Sequence, residues 1–198
     1  MTVYQFLTIC DNLKRVRRTG WLLRGVPPSA AENVAGHSHT MTILSYLLAK
    51  QTSEEVDLTR LLLMALIHDL PEAVIGDIPI SAQQVDPSFR EAKEKAENAA
   101  MDTILNFLPE KMRLELQNIW KEYLRGETLE ARLVEGADRL ATAVHAVELI
   151  RSGYPSKRFI PFIDHAEATL TKLQIADVAG LIGTLRQELT STSESSKP

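Results

Sequence analysis

Apolar residues recur at spacings of three and four along almost the whole chain, and no stretch alternates apolar and polar long enough to suggest a strand. Phe6, Leu7, Cys10 and Leu13 predict a first helix. Residues 21–31, with Gly25, Pro27 and Pro28 and with Gly20 just before them, predict a loop. The stripe Met41, Leu44, Leu47, Leu48 predicts a helix from Val34 to Lys50, and Leu58 to Asp69 reads as a strongly apolar one. Pro71, Gly76 and Pro79 then break the chain, which places Glu72 and Asp77 on a short turn or loop. Phe89 to Phe107 is rich in Ala, Lys and Glu and predicts a helix. Another opens at Pro109, runs through Leu116, Ile119, Trp120 and Tyr123, and stops at Gly126. Thr128 to Ile150 is a long helix with Leu133, Ala137, Leu140, Ala141, Val144 and Val147 facing inward, stopped by Gly153 and Pro155. One or two amphipathic helices follow from Pro161. The polar residues 191–198 are expected to be a disordered tail. With no repeat and no long linker, the expectation is a single all-α domain over residues 1–190.

Composition narrows the class without naming a function. The 198 residues are 44% hydrophobic and 24% charged, as in an ordinary globular domain with one sizeable core. A net charge of −4 argues against a nucleic-acid polymer as partner, although Lys14, Arg15, Arg17, Arg18 and Arg24 form a local basic cluster. The one cysteine, Cys10, excludes an intrachain disulfide and a Cys-rich zinc finger. Its helical spacing with Leu13 reads as core rather than as a nucleophile. No apolar run reaches membrane-spanning length and no signal-peptide pattern opens the chain, so the expected location is the cytoplasm, off the membrane.

Candidate chemistry concentrates in His68-Asp-Leu-Pro-Glu-Ala-Val-Ile-Gly-Asp77. An imidazole and a carboxylate side by side at the end of an apolar helix need a partner, and a divalent cation suits both. A helix-end cap explains His68 but not Asp69, whose charge opposes the helix dipole there. Of the five histidines, His37 and His39 lie two apart and point about 200° apart on a helix. His37 shares the stripe of Met41 and Leu44, so it faces inward and His39 outward. Asp138 sits on the apolar face of the long helix, where either a metal or an arginine could answer its charge. Arg18 and Arg24 flank Trp21 and could hold a phosphate.

The blocks Arg18-Thr-Gly-Trp21, Glu32-Asn-Val-Ala-Gly-His37-Ser38, His68 to Pro79, and Trp120 to Arg132, followed by Asp138, resemble the H…HD…D signature of the HD-domain metal-dependent phosphohydrolases. Within that superfamily they resemble the 5′-deoxynucleotidase branch, the one that includes HD domain-containing protein 2. The resemblance spans roughly residues 5–155 and implies an HD-domain helical bundle. It implies metal ligands at His37, His68, Asp69 and Asp138, holding one divalent ion. Mn²⁺, Co²⁺, Fe²⁺, Ni²⁺ and Zn²⁺ all suit two imidazoles with two carboxylates. No histidine lies between Asp69 and Asp138, so the additional histidines of two-metal relatives are lacking.

Carried over position by position, Glu72 and Asp77 become the catalytic acids. Glu72 would hold or deprotonate the attacking water. Asp77 would contact the sugar or protonate the leaving group. Arg18 and Arg24 would clamp the phosphate, and Trp21 would stack on the base or wall off the sugar. Gly36, Arg139 and His145 depart from the residues usual in the branch. The implied enzyme removes the 5′-phosphate from (deoxy)ribonucleoside monophosphates, and the resemblance also implies a homodimer. The alternatives are an HD phosphohydrolase acting on a cyclic dinucleotide or a triphosphate, and a non-enzymatic binding or scaffold protein on the same fold.

Overall fold

The computed structural model describes residues 2–79, 86–173 and 178–194. Among the described residues there is no strand, and the only β-type pairing is an isolated antiparallel bridge between Arg17 and Asn33. The helices are α1 (Val3–Asn12), α2 (Thr19–Leu22), α3 (Val34–Gln51), α4 (Leu58–Ile67), α5 (Glu72–Ile75), α6 (Pro87–Leu105), α7 (Glu110–Arg125), α8 (Leu129–Arg151), α9 (Ile160–Lys172) and α10 (Val178–Glu194), with a 3-10 turn at Ser156–Arg158. Packing groups them into two units, Met1–His39 with Leu63–Arg125 and Thr40–Leu62 with Gly126–Pro198.

In the first unit α6 starts at a defined cap. The Asp86 carboxylate accepts the Ser88 N–H, and Pro87 occupies a position whose missing N–H costs nothing. α6 and α7 pack as neighbours, with Trp120 Nε1 donating to Asn98 Oδ1 at 2.9 Å and Ile119 and Trp120 buried. The last turn of α4 is apolar on its inner side, with Met64, Ala65 and Ile67 buried. That apolar turn carries the chain directly into His68 and Asp69. The second unit is built on α8, capped by the Thr128 hydroxyl at the Ala131 N–H. Leu140 and Val147 of α8 pack with Ile163 and Leu170 of α9 and Ile182 of α10. Gly153 ends α8 at a φ of 93°, a conformation that favours glycine.

The periodic helices stand where the spacing placed them, to within two residues. Several details are finer than the spacing shows. Trp21 and Leu22, expected in a loop, belong to the single turn α2. Glu72 opens another single turn, α5, and α4 itself ends at Ile67, before His68. Leu47 and Leu7 point to solvent: the buried positions of α3 are Val34, His37, Ser38, Met41, Ser45, Leu48 and Ala49, a three–four stripe that passes through Leu48 rather than Leu47. Cys10 is half-buried rather than fully enclosed. α10 runs to Glu194, four residues into the expected tail, because extending a formed helix adds a hydrogen bond for each residue ordered. Residues 195–198 lie outside the described residues.

Candidate metal centre

His68 occupies the turn that follows α4. Its Nδ1 lies 2.9 Å from the Ala65 carbonyl oxygen. A carbonyl only accepts, so Nδ1 carries the proton and the ring is held with Nε2 turned toward Asp69 Oδ2, also at 2.9 Å. Such a pair is stable only with positive charge between nitrogen and carboxylate, supplied by a proton or by a metal ion. His37, fully buried on the inner stripe of α3, brings Nε2 to 4.0 Å from the same Asp69 oxygen. The His37 and His68 ring centroids are 5.8 Å apart. One ligand atom from each of His37, His68 and Asp69 lies within 4.8 Å of the others. Two buried imidazoles, that of His68 held by the Ala65 carbonyl, and one carboxylate, gathered that closely, fit a divalent cation. His39 is exposed, as its spacing required.

Asp138 lies in the other unit, buried on α8. Its Oδ2 is 3.1 Å from Arg139 Nη1, and its carbonyl accepts from the Thr142 hydroxyl. An ion pair with an arginine is therefore present at this acid.

The electrostatics of the two neighbouring acids diverge. Burial raises the Asp69 carboxyl, but the adjacent His68, His37 and Arg18 together outweigh it and hold Asp69 down at about 2. Glu72, one turn on, is pushed up to about 10. Burial is the main cause, the Asp69 and Asp77 charges add to it, and Arg18 and Lys93 offset only part. Glu72 Oε2 is fully enclosed and has no hydrogen-bond partner among the described residues. One carboxylate stays ionised for a cation while its neighbour is poised to exchange a proton.

The remaining candidates distribute differently from expectation. Arg18 reaches this cluster, with Nη1 3.5 Å from Asp69 Oδ2 and Nε 3.7 Å from Glu32 Oε1. Asp77 turns to the backbone: its carboxylate accepts the Thr19 N–H and its carbonyl accepts the Thr19 hydroxyl at 2.8 Å, which ties the loop after α5 to the start of α2. Trp21 is packed inside the protein. It is 1% exposed, and its indole N–H donates to Glu32 Oε1 at 3.1 Å. Arg24 donates from Nη1 to the Gly20 carbonyl at 3.0 Å, which braces α2. Glu32, which had no assigned role, stands between Arg18, Trp21 and His37. Nothing periodic marks it, since its neighbours reach it through the Arg17–Asn33 bridge. Tyr123 of α7 sets its ring edge-on to His68 at 6.1 Å.

A family model described as HD domain matches residues 10–169. The chain is 30% identical over 187 residues to a Homo sapiens protein named 5′-deoxynucleotidase HDDC2, covering 94% of this chain and 86% of that one. A solved structure of a conserved hypothetical protein from Pyrococcus furiosus aligns with a TM-score of 0.72 at 31% identity, over 92% of this chain and 98% of that one. An HD-domain phosphohydrolase from Listeria innocua aligns with a TM-score of 0.73 over 99% of this chain and 100% of that one. At 21% identity, that likeness speaks for the fold alone.

Proposed function

We infer that this chain, which belongs to the HD-domain family, is a metal-dependent phosphohydrolase that removes the 5′-phosphate from (deoxy)ribonucleoside monophosphates. The observation that carries this reading is the buried convergence of His37, His68 and Asp69, with Glu72 one turn away and Arg18 reaching in from the opposite segment. The names carried by relatives such as the human protein support the substrate class. Asp138 completes the ligand set in this reading. Its support is the sequence resemblance and its burial on α8.

A divalent cation bound by these residues supplies Lewis acidity toward a phosphoryl oxygen and lowers the pKa of water. The side chains do the rest. His68, fixed by the Ala65 carbonyl, and His37 hold their rings so that little reorganisation is needed on binding. Glu72 in its ionised form takes the proton of the attacking water; burial first, and then the charges of Asp69 and Asp77, raise its affinity for that proton, and the charge of a bound cation would offset them so that the ionised form is reached. Arg18 offsets charge on the phosphate, exchanging its contact with Asp69 for the substrate. Asp77 holds Thr19, and with it the segment that aims Arg18. Trp21 serves this reading as the buried anchor of that segment. Arg24 enters only by bracing it. The reading includes a cytoplasmic homodimer, as the resemblance implies; light scattering of the purified protein checks the assembly. No helix among the described residues is long and apolar enough to cross a membrane.

The test is phosphate release from matched deoxy- and ribonucleoside 5′-monophosphates, with Mn²⁺, Co²⁺, Fe²⁺, Ni²⁺ and Zn²⁺ in turn. Turnover is expected with at least one metal and none after chelation. A chain that releases no phosphate from any monophosphate while holding its metal has another substrate.

A further inference from the structure

The reading above leaves one enclosed carboxylate unused. Glu32 lies in the short connection before α3, its side chain 14% exposed, and one of its oxygens collects three cationic or N–H groups. Oε1 accepts the Trp21 indole N–H at 3.1 Å and stands 3.7 Å from both Arg18 Nε and His37 Nδ1. The backbone sets this arrangement. The Arg18 N–H donates to the Glu32 carbonyl at 3.2 Å, the Val34 N–H donates to the Val16 carbonyl at 3.0 Å, and Arg17 pairs with Asn33. Arg17 Nη1 also donates to the Ala31 carbonyl at 3.1 Å. Residues 16–18 and 31–34 are thereby clasped side by side. The arm that ends in Arg18 and the lead into the helix that carries His37 are fastened at Glu32.

We propose that Glu32 is a positioning residue that orients the His37 ring for the metal and the Arg18 guanidinium for the phosphate through one shared oxygen. The inference rests on the metal-dependent reading above. On His37 the carboxylate faces Nδ1, and a carboxylate next to a ring N–H is the usual device that fixes a ligand histidine with its other nitrogen presented to the ion. On Arg18 it faces Nε, which leaves Nη1 on the side of Asp69 and of the metal cluster. The indole N–H of the buried Trp21 holds the carboxylate itself in place. One carboxylate serving both groups links retention of the ion to the hold on the anion, so its loss is felt on two measurements together. A residue that merely packs the segment would move neither once the protein is folded.

The experiment is calorimetric titration of Mn²⁺ into chelator-stripped wild type and Glu32→Gln, each shown by circular dichroism to be folded, followed by steady-state kinetics at saturating Mn²⁺. Glu32→Gln keeps an acceptor for Trp21 and removes the charge. It is expected to bind Mn²⁺ about 10- to 100-fold more weakly, the range typical when a partner behind a metal ligand is lost. With the metal saturating, KM for a nucleoside monophosphate is expected to rise by a larger factor than kcat falls. If Glu32→Gln does not fold, Glu32→Asp takes its place. That variant withdraws the oxygens by one methylene and is expected to weaken Mn²⁺ at least several-fold. Metal affinity equal to wild type in the folded variant overturns the role of Glu32 and leaves the proposed function standing. A wild type that takes up no divalent ion overturns both.

Discussion

The side chain of His68 shows how much a single residue settles here. Its Nδ1 is committed to the Ala65 carbonyl, so only Nε2 is presented, and Asp69 lies against it. His68→Ala and Asp69→Ala are each expected to fold and to lose both divalent metal and turnover, measured by elemental analysis after metal loading and by phosphate release. Full turnover in either with metal added removes the central reading. Glu72 separates base from ligand. Glu72→Gln is expected to retain the metal and lose about 10²- to 10⁴-fold in kcat, the contribution of a positioned acid or base. The same substitution has a stability consequence in the chelated protein. Unfolded, Glu72 ionises near its ordinary 4.5; folded, near 10. The folded form therefore keeps a proton that the unfolded form loses, and stability falls as pH rises from about 4.5 toward 10. Glu72→Gln abolishes that dependence. Its melting temperature should exceed that of metal-free wild type at pH 8, with the gap narrowing toward pH 5.

At the scale of elements, length decided what could be read. α3, α6, α7 and α8 run for several turns each, and a three–four stripe repeated over that distance is hard to mistake. α2 and α5 are four residues long, too short to show a period, so Trp21 reads as loop and Glu72 as a short turn or loop. The resemblance implies that Trp21 stacks on the base or walls off the sugar. Its burial follows from the non-local clasp of residues 16–18 with 31–34, which no local pattern records. Glu32 escaped for the same reason. His37, His68 and Asp69 were legible because each sits at a fixed phase or end of a long helix. The turn after α5 has its own test. Gly76 adopts φ 77° and ψ 166°, a region open essentially only to glycine, and among the described residues nothing lies within 4 Å of where a Cβ would stand. The cost of Gly76→Ala is then backbone strain alone, about 1–3 kcal/mol. At about 2–4 °C per kcal/mol for a chain of this size, the melting temperature should drop by several degrees. Because Gly76 aims Asp77 at Thr19, kcat/KM should fall as well, in a variant that stays folded at assay temperature. Unchanged kinetics would mean that the tie between Asp77 and Thr19 does not aim Arg18.

For the molecule as a whole, the question is how a chain of net charge −4 binds an anion. The site itself is acidic. Glu32, Asp69, Glu72 and Asp77 stand in the first unit with Arg18 and Lys93 as the nearby cations, and Arg18 is already engaged by Glu32 and Asp69. A phosphate approaching the metal-free protein meets carboxylates, and the Arg18 guanidinium beside them is already shared by Glu32 and Asp69. Two positive charges added beside Asp69 change the balance, because attraction between unit charges a few ångströms apart is worth several kcal/mol at the effective dielectric of a protein. Anion and cation should therefore bind with positive coupling. By thermodynamic linkage the coupling is reciprocal: each ligand must tighten the other by the same factor. Calorimetric titration of inorganic phosphate into chelated and Mn²⁺-saturated protein is expected to show at least a 10-fold gain in affinity with the metal, and phosphate should tighten Mn²⁺ equally. Arg18→Ala should weaken phosphate in the Mn²⁺-saturated protein by about one to two decades, as expected for a lost charge-assisted contact of about 1.5–3 kcal/mol. That loss should be the same for every monophosphate, since a guanidinium on the phosphate reads neither sugar nor base. Phosphate that binds as well without metal as with it would place the anion elsewhere on the molecule, away from His37, His68 and Asp69.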